Sequence, residues 1–173
     1  EEQDKAGQRT PLLAQEGTLP EHVLAFGMSP SGRVLQTMLL DGLHVDEQQR
    51  PPFDGGFLHV AGGGKGSFNH RFAQTTRHFS PHEESIYPTD YFPFATVTQR
   101  DEVLGKEASV LDNAKKVGVV PKLVYTASST DYWARAASLL HTDTEGKTDL
   151  PLDDHARAYL LSGAQHVIAT PPE

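Results

Sequence analysis

Ser29, Asp131 and His166 are the residues of this chain whose types and spacing could do covalent chemistry. Ser29 lies in "FGMSPSGR", directly after the apolar run at residues 22–25, so a predicted strand breaks into Gly-x-Ser and then runs on into a helix. On such a turn a serine hydroxyl stands clear of the backbone, and the helix N-terminus faces the oxyanion that develops when the serine attacks a carbonyl. Small neighbours are needed around it. Gly27 fills the first place, Ser31 the second, where glycine is commoner, and Gly32 follows. Serine followed by proline is also a favoured helix N-cap with proline at the first helical position, so the motif alone leaves Ser29 as either nucleophile or cap.

A serine nucleophile needs an imidazole to take its proton and a carboxylate to hold the imidazole's tautomer. "LVYTASSTD" puts Asp131 just past a predicted strand, and "YLLSGAQH" puts His166 just past the last one. In open parallel sheets, ligand and catalytic groups collect at the strand carboxyl ends, and the chain order Ser, acid, His suits that arrangement. Asp131 is also well placed to cap the helix "DYWARAASLL". Among the competitors, Asp54 precedes its strand and belongs at the opposite edge, while His141 and Asp143 lie beyond a helix. His22, His44 and His59 read as packing or surface residues. Of the nine histidines only His78 and His82 stand at His-x-x-x-His spacing, and Pro81 between them keeps the pair off one helix face, which argues against a metal site. The lack of cysteine excludes disulfides and thiolate catalysis.

Positioning three such residues requires several strands and helices in sequence. "EHVLAFG" predicts a short buried strand, and Val34, Leu35, Met38, Leu39 and Leu43 recur at helical spacing from Ser31 to about Gly42. "FDGGFLHVAGGGKG" supplies a second strand over residues 57–61. "EASVLDNAKKVGVVP" reads as a helix stopped by glycine, "KLVYTASST" as the third strand, and "DYWARAASLLH" as the helix after it. The last strand is expected over about residues 158–162. Strands alternating with helices predict an α/β fold, a mostly parallel sheet with flanking helices. Residues 64 to about 105 hold aromatics, Pro81, Pro88 and Pro93 with little periodicity, and read as a lid-like insertion. Within it, Arg71 and Arg77 could meet an acidic substrate.

A chain of 173 residues suits one domain, here residues 21–173 behind a polar N-terminal tail or linker at residues 1–20. The net charge of −8, with 15 scattered Lys and Arg, excludes a nucleic-acid groove, which needs a concentrated basic stripe. No window approaches the roughly 18 apolar residues of a membrane span, and no signal peptide is visible. The chain opens on Glu1, so its true start and its compartment stay open.

These residues and motifs make the sequence resemble the alpha/beta-hydrolase-domain proteins, whose elbow reads Gly-x-Ser-x-Ser-Gly-Arg. The resemblance runs over about residues 22–170, through "GMSPSGRVLQTMLLDGLHVDE", "FDGGFLHVAGGGKGSFNHRFAQ", "STDYWARAASLLHTD" and "SGAQH". It implies a serine esterase-like hydrolase that acts through an acyl-enzyme on a small-molecule ester, without a cofactor. Ser29 would be the nucleophile, Asp131 the acid and His166 the base; many relatives carry Glu where Asp131 stands.

Two departures bear on that expectation. Pro30 has no N–H to offer a developing oxyanion where relatives are expected to carry glutamine, and it pushes the preceding serine towards extended backbone. The family also places several strands before the elbow, whereas about twenty residues precede the first strand here. The chain thus resembles the C-terminal portion of the fold, its early strands supplied by an upstream segment or another chain. Left alone, the sheet would expose an edge. The competing expectation is a non-catalytic remnant of the fold, which binds a ligand or partner while Ser29 only caps a helix.

Overall fold

The computed structural model describes residue 7, residues 20–66, residue 68 and residues 92–166. Arg71 and Arg77, nearly all of the tail and most of the lid-like insertion lie outside the described residues.

Six strands are described: β1 (Leu24–Met28), β2 (Gly55–His59), β3 (Gln99–Asp101), β4 (Lys106–Ala108), β5 (Lys122–Ser128) and β6 (Ala156–Leu161). Four of them form a parallel sheet in the order β1-β2-β5-β6. Met28 pairs with His59, His59 with Thr126, and Ser128 with Leu161, so the carboxyl ends of all four strands open on one edge. This is the α/β architecture expected from the alternation of apolar runs.

Helix α1 (Pro30–Leu40) starts directly after β1, and α2 (Asp112–Val117) precedes β5. Leu39 from α1 and Ala114 from α2 pack with Leu58, Leu123, Tyr125 and Ala156 in one core on one face of the sheet. The opposite face stays open among the described residues. Leu24, Phe26 and Met28 are 77%, 63% and 52% exposed, and the Phe26 ring meets the exposed Phe57 edge-on at 5.4 Å. The first strand is therefore not the buried strand expected. Only Gly27 of β1 is fully buried, because alternate residues point away from α1, and β1 pairs on one side only among the described residues.

Other boundaries differ for local reasons. The helix expected over residues 107–121 is shorter, because residues 106–108 pair with β3 in an antiparallel hairpin. The Ser109 N–H and hydroxyl both donate to the Asp112 carboxylate, which fixes the turn before α2. Gly118, with φ of 81°, ends α2 as the sequence suggests. The helix expected over residues 131–141 is two pieces, α3 (Ser129–Ala134) and a 3-10 turn (Ala137–Leu140), split at Ala136 with φ of 55°. Gly63 donates to the Arg135 carbonyl at 3.0 Å and holds the chain at that break. The last strand begins two residues earlier than expected, because it follows the turn in which Ala156 donates to the Asp153 carbonyl at 2.8 Å.

Asp153 ties α2 to this final strand. Its carboxylate lies 2.6 Å from the Lys115 ammonium and accepts from the His155 N–H at 2.9 Å. Burial works to raise its pKa, but Lys115 and then His155 outweigh burial and bring it down to about 2. A folded pKa below the unfolded one means that the ionised carboxylate stabilises the fold fully above about pH 4. That contribution is lost as the pH falls through the folded value. Asp153→Asn should therefore melt below the wild type near neutral pH, and the gap should close as the pH approaches 2. Thermal melts followed by circular dichroism across that range check it.

Candidate functional site

Ser29 sits between β1 and α1 with φ of 53° and ψ of −118°, a conformation that few non-glycine residues adopt. Such a residue costs about 1–3 kcal/mol and persists only where its surroundings over-determine it. Here they do. The Ser29 N–H donates to the His59 carbonyl at 2.8 Å, which continues the β1–β2 pairing past the end of the strand. On the other side, a Cβ built on Gly27 would lie 2.6 Å from the Gly32 nitrogen and the Ser31 carbonyl. A Cβ on Gly32 would lie 2.7 Å from the Ala61 Cβ. The first turn of α1 is thus pressed onto the end of β1, and the chain has no room to relax Ser29 into the extended backbone that Pro30 favours.

This packing makes a direct prediction. Gly32→Ala should destabilise the fold by about 1–3 kcal/mol, since the new methyl must displace strand or helix backbone. Because the displaced segment carries Ser29, reactivity of the serine should fall further than stability does. Chemical denaturation and serine labelling measured on the same sample check both.

The Ser29 side chain makes no capping hydrogen bond to α1. Its hydroxyl instead lies 2.9 Å from Nε2 of His166, and Nδ1 of His166 lies 2.6 Å from Oδ1 of Asp131. A carboxylate can only accept, so the proton of the neutral imidazole sits on Nδ1, and Nε2 is left to accept from the serine hydroxyl. The three residues singled out from the sequence are brought together in one hydrogen-bonded row.

Two further details fix the row. Asp131 is fully buried, and its Oδ2 accepts from the Ser128 N–H at 3.0 Å and the Ser128 hydroxyl at 2.5 Å. The Asp131 N–H donates back to the Ser128 oxygen at 3.2 Å, which closes a capping box at the start of α3. Asp131 is therefore a helix-capping residue and the partner of His166 at once. The loop that carries His166 is tied to the same helix start: the Ser129 N–H donates to the Ala164 carbonyl at 3.2 Å, and the Gly163 N–H to the Ser129 hydroxyl at 2.8 Å.

The competing residues fall where their sequence positions suggested. Asp54 accepts from the Val23 N–H at the amino end of the sheet, and His44 is buried with Nε2 3.2 Å from the Val119 carbonyl. His59 pairs with the Thr126 hydroxyl at 2.7 Å, and His141 with the Tyr132 hydroxyl at 3.0 Å.

A cavity of about 220 Å³ opens over the row and is lined by Ser29, Asp131, His166, Thr130, Arg33 and Arg135, among others. The two arginines were missed in the sequence. Their signal was helical spacing, since Arg33 stands four residues after Ser29 and Arg135 four after Asp131. A larger cavity of about 360 Å³, lined by Tyr125, Leu140 and Tyr159 among others, does not include Ser29.

Among the described residues no helix is long and apolar enough to cross a membrane. Comparison with curated proteins and with solved structures gave no match. Against models of protein families, residues 3–171 match the one described as "Alpha/beta hydrolase domain". With the match extending over nearly the whole chain and a parallel sheet to go with it, the chain belongs to the alpha/beta hydrolase domain family.

Proposed function

We propose that the chain is a serine-dependent carboxylic-ester hydrolase acting through an acyl-enzyme. The observation that carries this reading is that the Ser29 hydroxyl leaves the helix uncapped and meets His166 instead, with Asp131 on the far side of the ring. His166 takes the serine proton through Nε2 as Ser29 Oγ attacks the ester carbonyl. Asp131 stabilises the imidazolium so formed, and His166 returns the proton to the departing alcohol. Water then enters, gives a proton to His166 and releases the acid, restoring the serine.

Pro30 withholds the backbone N–H that would otherwise follow the nucleophile, and one missing oxyanion donor costs about a hundred- to a thousandfold in turnover. That feature favours the rival reading of a non-catalytic binding module, while the uncapped, strained serine opposes it. The exposed apolar side chains of β1, and its outer side that is unpaired among the described residues, support a further part of the proposal. Strands from an upstream segment or another chain would complete the sheet there.

An alkyl fluorophosphonate probe tests the chemistry without knowledge of the substrate. Peptide mapping should place the label on Ser29 in the wild type and find none in Ser29→Ala. Persistent labelling of Ser29→Ala, with Ser31 the first residue to examine, would remove the nucleophile from Ser29.

A further inference from the structure

We infer that the cavity over Ser29 selects small esters carrying a carboxylate, which Arg33 and Arg135 receive. This rests on the hydrolase reading above and adds the class of substrate to it. Among the described residues the cavity is about 220 Å³, a size that suits a short substrate and lies below the usual range for drug-sized ligands. Among the described residues two arginines line it against one carboxylate, Asp131, whose two oxygens are already held by His166 and Ser128. The described lining therefore holds more basic than acidic side chains in a chain of net charge −8, where a basic patch does not arise from composition.

The backbones of both arginines are held in place. Arg33 is 4% exposed, and its N–H donates to the Ser29 carbonyl at 3.2 Å, one helical turn past the nucleophile. Arg135 donates its N–H to the Asp131 carbonyl at 3.0 Å and accepts from Gly63 through its own carbonyl at 3.0 Å. Each has other interactions of its own, and the inference needs neither to be without a partner. Because Nε and Nη1 of Arg33 are sealed from solvent, Arg33 serves as a fixed positive charge, and the planar fork that meets the substrate is that of Arg135. That fork matches the two oxygens of a carboxylate, and burial strengthens the pairing relative to one in water. A carboxylate at the far end of a short acyl chain would meet the arginines while its ester carbonyl faces Ser29. A p-nitrophenyl half-ester of a short dicarboxylic acid has this form.

The test compares p-nitrophenyl hemiglutarate with its methyl ester, which has the same chain but no charge. The wild type should show kcat/KM at least about tenfold higher for the charged substrate. That ratio should collapse towards unity in Arg135→Gln and in Arg33→Gln, recover in part in Arg33→Lys, and hold in Arg100→Gln, which alters a surface arginine on β3. Should Arg33→Gln fail to fold, Arg135→Gln alone decides. A wild-type ratio at or below unity, or one unmoved in Arg135→Gln, overturns the inference while leaving the hydrolase reading intact. Binding of glutarate by calorimetry reads the same arginines without turnover. Glutarate should bind the wild type and bind at least about tenfold more weakly to Arg135→Gln, even if no ester is cleaved. No glutarate binding, or tighter binding of inorganic phosphate in its place, overturns the assignment to a carboxylate.

Discussion

Asp131→Asn should lower ester turnover by about 10⁴-fold with little loss of folded protein. The carboxylate accepts from three donors: His166 Nδ1 on one oxygen, and the Ser128 N–H and hydroxyl on the other. An amide has a single acceptor oxygen. Turned towards Ser128, it preserves the capping box and leaves its NH₂ facing the imidazole. Nδ1 must then accept, the ring proton moves to Nε2, and Nε2 can no longer take the proton of Ser29. Side-chain volume hardly changes, so the melting temperature should move much less than kcat. Turnover of a p-nitrophenyl ester, measured beside a thermal melt, checks the pair of outcomes. Turnover within tenfold of the wild type would mean that Asp131 serves only the helix.

The second large effect comes from removing the nucleophile and its base. Ser29→Ala and His166→Ala should each cost about 10⁴- to 10⁶-fold in kcat, and the double variant should lose hardly more than either alone. A serine without its base and a base without its serine fail in the same step. Losses that multiply in the double variant would show two groups acting separately, contrary to their 2.9 Å contact. Ser29→Gly is an informative companion, since it removes the same hydroxyl and also relieves a backbone that glycine adopts without strain. It should unfold at a higher denaturant concentration than Ser29→Ala.

Much of the site was legible in the sequence because its signals are local. Gly27, Ser29 and Gly32 mark a tight turn between strand and helix wherever they occur at that spacing, and Asp131 and His166 each follow an apolar run that could only be a strand. The choice between nucleophile and cap at Ser29 was not legible. It turns on where one hydroxyl points, and that hydroxyl meets a histidine 137 residues away. Arg33 and Arg135 were missed because a helix start, here placed to within a residue or two, does not say which polar side chain borders a cavity. The open face of β1 was read as buried because an apolar run looks the same whether or not anything covers it. The hairpin of β3 and β4 gave no warning, since three-residue strands are too short to show a period.

The double engagement of Asp131 bears on how such a site changes over generations. One side chain answers to two selective pressures, closing the cap of α3 and orienting the imidazole. If the proposed chemistry were given up, the position would still be held to a side chain that can cap α3, aspartate or asparagine among them, so the loss would leave little trace in the fold at this position. Exchange between aspartate and glutamate keeps the carboxylate as well as the cap, because Ser-x-x-Glu is itself a capping box. Drift at position 131 is therefore restricted to capping side chains, while Ser29, whose strained backbone costs stability, is the position where abandoned chemistry would be written first.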